Sequence, residues 1–289
     1  VGHSDAQVQA LAIECLCKWQ QPALTAHKTQ LLALIKEKTF RETLTMFRVD
    51  DEAGIVTAEQ RPLLLPLLSR LLFAKLAQRS GRGASKNGLA SRRATIFAFF
   101  GGFESNELSS LVDLLLAPLA AVGACTPPAA ADGDATADAI AGARGVVRVR
   151  ASQQIGVLRA LHEAVGQLGR ALAPFVPSIL AAFASLLVHA THVACAAPGA
   201  DAAEGALLPA AARLTAADGS LLGAAAAASL PEGERLTLAQ AREARLWCMK
   251  LLAALLRALP TYDFRRWMPI VFGCAAPVLG RLATHYTQS

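Results

Sequence analysis

The stretch PLLLPLLSRLLFAKLA, residues 62–77, decides how the rest of the chain is read. Leu64, Leu67, Leu68, Leu71, Leu72 and Leu76 recur at spacings of three and four, which places them on one stripe of a helix. Such a stripe has to be buried against other helices. The sequence then turns basic: Lys75, Arg79, Arg82, Lys86, Arg92 and Arg93 follow with no acidic residue among them and with Gly and Ser interspersed. This pattern predicts a charged loop between two helices, hung from a packed stem and offered to an anionic partner.

Helical signals continue on both sides. Ser4 and Asp5 supply cap chemistry for a first helix, whose Val8, Leu11, Ala12, Cys15, Leu16 and Trp19 form the stripe expected to face the core. Shorter helical pieces follow over 27–38 and 39–48. Residues 91–100 resume the pattern until Gly101 and Gly102 stop it, and Ser105 is the expected cap for Leu108, Leu111, Val112, Leu115 and Leu116, with Pro118 closing that helix. Further apolar stripes run through Ile155 to Leu172, Ile179 to Leu187 and Leu252 to Leu259. Pro269 and Pro277 are expected to break or kink the last element.

Two segments, 120–145 and 196–233, are dominated by Ala, Gly, Pro and Asp and read as flexible insertions. With those set aside, residues 1–289 form one helical-repeat segment. The expected fold is all-α, a HEAT-like solenoid of antiparallel helix pairs of about 40 residues, with a closed bundle as the alternative. Composition agrees: hydrophobic residues are 54% of the 289 and aromatics 6%, with Ala and Leu prominent. The chain opens Val-Gly-His-Ser, carries no signal-peptide pattern, and reads as a fragment of a longer repeat protein.

Charge and cysteine use narrow the function classes. The formal charge of +6 and a pI near 9.2 suit nucleic acid or acidic protein surfaces. The six cysteines contain no CxxC pair, which points to reduced thiols rather than a disulfide framework or zinc site. Residues 171–200 hold no Asp, Glu, Lys or Arg, but Pro174, Pro177, His189 and His192 mark them as a buried helix and not a membrane span.

Signatures of catalysis fail one by one. His162-Glu163 begins an HExxH pattern, yet Gly166 stands where the second His would be. His189 and His192 are one turn apart without a third ligand. Gly83 to Gly88 has the glycine spacing of a phosphate loop, but Leu89 and Ala90 replace the Lys and Ser/Thr that reach phosphate and magnesium. Asp50, Asp51 and Glu52 read as a solvated turn. The chain is therefore expected to be no enzyme, with no catalytic, metal or cofactor site and no small-molecule substrate. The basic stretch remains as a contact for RNA phosphates or an acidic partner, without base reading, because no aromatics interleave with the cations. Arg144, Arg148 and Arg150 form a weaker second patch.

Several ordered segments carry a family resemblance: SDAQVQALAIECLCKWQQPALTAHKTQLLALIKEKTFRETL from residue 4, then RPLLLPLLSRLLFAKL, FFGGFESNELSSLVDLLLAPL, QQIGVLRALHEAVGQLGRALAPFVPSIL and YDFRRWMPIVFGCAAPVLGRL. In this order they resemble the DRIM (down-regulated in metastasis) family, over nearly the whole chain except the two Ala-rich segments. The resemblance implies a very large HEAT-repeat scaffold of the small-subunit processome, a small nucleolar RNP. It implies partners among pre-ribosomal RNA and processome assembly factors, a nucleolar or nuclear location, and a part in processing the small-subunit rRNA precursor. A HEAT-repeat adaptor in transport or signalling is the alternative.

Overall fold

The computed structural model describes residues 2–3, 5–47, 56–77, 86–127, 135–196 and 230–274, and these contain helices and turns but no strand. The all-α expectation holds. In chain order the α-helices are α1 (Ala6–Cys17), α2 (Pro22–Ala26), α3 (Lys28–Ile35), α4 (Phe40–Met46), α5 (Arg61–Ala77), α6 (Lys86–Phe100), α7 (Ser109–Ala120), α8 (Thr136–Val146), α9 (Ala151–Leu168), α10 (Val176–Ala196) and α11 (Leu238–Ala258). The helices fall into two compact units, Val1–Leu114 with Gln167–Pro174 and Leu115–Gly166 with Phe175–Ser289.

Local chemistry sets several boundaries. Asp5 caps α1 by accepting from the backbone N–H of Gln7, and Pro22 occupies the first turn of α2, where its missing N–H costs nothing. Thr237 and Gln240 close a capping box at the start of α11. Gly101 and Gly102 end α6 as expected. Helix α7 starts four residues beyond Ser105, because Glu107 takes the Glu104 N–H and holds 104–108 in turns; Pro118 lies inside it. Pro269 lies in the first turn of a helix over 268–274, so it starts that element and does not kink it. Pro277 lies outside the described residues, as do Asp50, Asp51 and Glu52.

In the first unit, α3 packs between α1 and α4, α4 lies against α6, and α5 contacts α2 and α6. Leu64, Leu68, Leu71 and Leu72 of α5 are buried, as are Leu31 and Leu34 of α3 and Phe97 and Phe100 of α6. Phe99, Phe100 and Phe103 add edge-on ring pairs 5.2 to 6.2 Å apart. The α5 stripe thus faces inward, with Leu67 only half-buried.

The α1 stripe faces the other way. Gln9, Ile13 and Cys17 point into the unit, while Val8, Leu11 and Trp19 are 43%, 61% and 74% exposed. The two buried polar side chains of α1 have partners: Gln9 donates to the His3 carbonyl at 2.6 Å and the Cys17 thiol to the Leu24 carbonyl at 3.6 Å. Helix α1 is apolar on two sides, and periodicity alone does not say which side a neighbour covers.

In the second unit α10 is the centre, packed on α8 and α11. The uncharged run supplies it, and residues 179–191 are all buried. Among the described residues one helical stretch, Ala151–Cys195, is long and apolar enough to cross a membrane, and its most apolar window is mostly buried. Part of the first expected insertion is corrected here. Residues 136–145 belong to α8, with Ala139, Gly142, Ala143 and Val146 buried. Small residues gave no apolar stripe in the sequence, yet they let α8 approach very closely: a Cβ at Gly142 would stand 2.0 Å from Ser185 Oγ, and one at Gly145 would stand 2.2 Å from the Val122 carbonyl oxygen. Residues 128–134 lie outside the described residues, as do 197–229 of the second expected insertion.

His189 is buried in α10, its Nδ1 3.1 Å from Gln154 Oε1, and the Gln154 amide donates to the carbonyls of Val149 and Val146. Burial, helped by the nearby His192, pushes the His189 imidazole down to about 4. Its folded value lies below the unfolded one, so as pH falls from about 6.5 the unfolded chain takes up a proton that the fold refuses. Stability should drop by about 2–4 kcal/mol between pH 6.5 and pH 4. Urea midpoints across that window check this, with His189→Gln expected to flatten most of the slope; His192, also lowered by burial, supplies part of it.

Candidate nucleic-acid interface

The six basic residues after the leucine stripe separate once placed. Lys75 is not a loop cation: it sits within the last turn of α5, 2% exposed. Its ammonium donates to the Ile35 carbonyl at 2.8 Å, at the end of α3, and to Glu37 Oε1 at 2.7 Å, with the Phe40 ring centroid 5.9 Å away. A lysine this deep needs a carboxylate and a carbonyl to offset its lost hydration.

Arg92 and Arg93 belong to α6. Arg92 reaches the second oxygen of the same carboxylate, Glu37 Oε2, at 3.1 Å, and Arg93 donates to the Leu76 carbonyl at 3.4 Å. Glu37 therefore ties α5 and α6 to the turn after α3. Burial resists its ionisation, but the hydrogen bonds and charges of Lys75 and Arg92 outweigh that and hold its carboxyl below the usual value. These residues clamp the unit. Arg79 and Arg82 lie outside the described residues; Lys86 opens α6, and its side chain lies outside them too.

A second clamp was missed in the sequence. Arg61 at the start of α5 grips Glu107 with two parallel bonds of 2.7 Å, and Glu107 also accepts from the Glu104 N–H. Burial opposes the charge on Glu107, yet Arg61 and the Glu104 amide lower its pKa overall. The partners are 46 residues apart, and no local signal pairs them.

The exposed side of α1 forms one wall of an apolar groove of about 600 Å³, lined by Ala12, Cys15, Leu16, Trp19, Leu63, Pro66, Leu67 and Arg70 with Gly2. Both walls belong to the first unit. Leu63 is itself 44% exposed.

Residues with chemistry in the sequence have structural places here. Among the described residues no three His, Cys, Asp or Glu converge as metal ligands. His162 lies edge-on to Trp247, and His189 is a satisfied core residue. None of the six cysteines forms a disulfide, and Cys15 alone of them is exposed. Burial pushes the Cys125 thiol up to about 12 and Cys274 to about 11, the opposite of an activated nucleophile. Gly83 lies outside the described residues, and Gly88 lies within α6.

The whole chain, residues 1–289, matches the family model described as U3 small nucleolar RNA-associated protein 20, N-terminal. The chain belongs to this family. A U3 small nucleolar RNA-associated protein 20 from Schizosaccharomyces pombe is 32% identical over 116 residues, 40% of this chain and 5% of the relative. The protein of the same name from Saccharomyces cerevisiae is 20% identical over 114 residues, 39% of this chain and 4% of that relative. The matches thus cover a small part of much longer proteins. The ordered segments of the sequence pointed to this same family.

Proposed function

We propose that this chain is a segment of a non-enzymatic scaffold in ribosome biogenesis, a component of the small-subunit processome that takes part in processing the small-subunit rRNA precursor in the nucleolus. The relatives' name, U3 small nucleolar RNA-associated protein 20, supports the RNP setting. The observation that carries the scaffold role is the open apolar face of α1 with its groove against α5. Contiguous apolar surface of this kind marks a place where another element packs. A helix of the longer parent protein is the occupant we assign to it, since the relatives are some twenty times longer than the matched stretch and repeat helices cover one another in series.

The work of such a protein is architectural. Many modest contacts along an extended surface fix the positions of RNA and assembly factors, and no bond is made or broken. Within the basic stretch, Arg79, Arg82 and Lys86 are the residues proposed to touch RNA phosphates or an acidic assembly factor, because Lys75, Arg92 and Arg93 are engaged inside the first unit. Depleting the full-length protein is expected to leave small-subunit rRNA precursors unprocessed. Normal precursor maturation after depletion overturns the proposal.

A further inference from the structure

On the second unit, α9 and α11 bring together a cluster that lies far in sequence from the basic stretch. Arg159 and His162 come from α9; Glu243, Trp247 and Lys250 come from α11 at positions i, i+4 and i+7, one face of that helix. The half-buried Trp247 indole is the plate on which the others rest. The Lys250 ammonium stands 4.5 Å from its ring centroid, the Arg159 guanidinium carbon 5.3 Å, and the His162 ring 5.6 Å, edge-on at 70°.

Glu243 is divided between two donors, the Arg159 guanidinium and the Trp247 indole N–H at 3.3 Å. One carboxylate cannot neutralise both cations. Lys250 makes no ion pair among the described residues, and both Lys250 and Arg159 are exposed.

Long basic side chains on a surface normally sample many rotamers, and fixing them on a ligand costs entropy. Here the indole ring holds both heads close to one apolar plate before any ligand arrives. We propose that the Arg159–Trp247–Lys250 cluster is a contact for the phosphate backbone of single-stranded RNA, with Trp247 as the residue that positions the two cations. The choice of RNA over another polyanion rests on the function proposed above; the anion site itself rests on the geometry.

Oligouridylate titrated into the whole chain at several salt concentrations tests it. The double variant Arg159→Gln/Lys250→Gln should bind about tenfold more weakly, and its slope of log affinity against log salt should be shallower by about 1.4, the value for two lost single-strand phosphate contacts. The charge-matched control Arg257→Gln/Arg265→Gln, at two exposed arginines outside the cluster, should keep the cluster's share of the slope. Trp247→Leu should weaken binding while leaving the slope near that of the unaltered chain, because both charges remain. Equal loss in the double variant and the control, or an unchanged slope in the double variant, overturns the site. If a polyglutamate peptide responds to the double variant and oligouridylate does not, the partner is an acidic protein and the RNA proposal falls. None of these outcomes depends on precursor processing in cells, so failure here is distinguishable from failure of the scaffold reading.

Discussion

Gly145→Ala should destabilise the second unit by about 2–3 kcal/mol, the cost of forcing extra volume into a packed contact. In an exposed helix the same change stabilises by up to about 1 kcal/mol, because Ala has the better helix propensity. The sign reverses here because the new methyl would meet the Val122 backbone carbonyl oxygen at 2.2 Å, with the carbonyl carbon and the Val122 Cβ both at 3.2 Å. A backbone carbonyl has no rotamer to escape into, so α8 itself has to move off the turn before it. Gly142→Ala should cost less, since Ser185 Oγ can rotate away, though it then gives up its bonds to the Ala181 and Ala124 carbonyls. Gly156→Ala is the internal reference. It lies in α9, exposed, with nothing within 4 Å, and should gain about 0.5–1 kcal/mol. Urea unfolding of the three variants reads all of this, and a stabilising Gly145→Ala would contradict the α8 packing.

Glu37→Gln should destabilise the first unit by about 1–3 kcal/mol, the range for losing charge-assisted hydrogen bonds. The loss arises less from the missing attraction than from Lys75, whose buried ammonium would keep only the Ile35 carbonyl and a neutral amide. Glu37 itself is more than half exposed, which keeps the expected figure below that of a fully buried pair. Lys75→Met replaces the ammonium by a side chain of similar volume at a site 2% exposed and should cost less than Glu37→Gln. Adding Lys75→Met to Glu37→Gln should recover part of the loss, and that coupling is what a double-mutant cycle in chemical denaturation would measure. Independent, additive effects would show that Lys75 does not depend on Glu37. Because the Glu37 carboxyl is held below its usual value, its contribution is present above about pH 4.5 and is lost as pH falls through the lower folded value. That window lies below the one in which His189 acts.

Much of the fold is legible in residue order. The leucine spacing of α5, the Asp5 cap and the Gly101-Gly102 stop all act within a few residues, and each appears where the sequence places it. The α8 helix is not legible, because Ala and Gly make no hydrophobic stripe. Their value lies in what they leave room for, and that depends on Ser185 and Val122 being brought to them. The basic stretch shows the same limit from the other side. Six cations in a row of acid-free sequence look alike, yet Lys75 is consumed by Glu37 and Ile35, and Arg92 by Glu37. The Trp247 cluster had no sequence signal, since its cations come from helices about 90 residues apart and only packing sets them on one ring.

Sequence by itself determined the helical class, most helix boundaries and the family, because propensity, caps and segment order are local or linear properties. Tertiary structure alone decided which face of α1 is left open, which of the basic side chains are internal clamps, and where an Ala-Gly segment becomes a core helix. Those outcomes depend on partners outside the helix concerned, as Lys75 depends on Glu37, 38 residues away, and no pattern within a single helix can name the surface that will cover it.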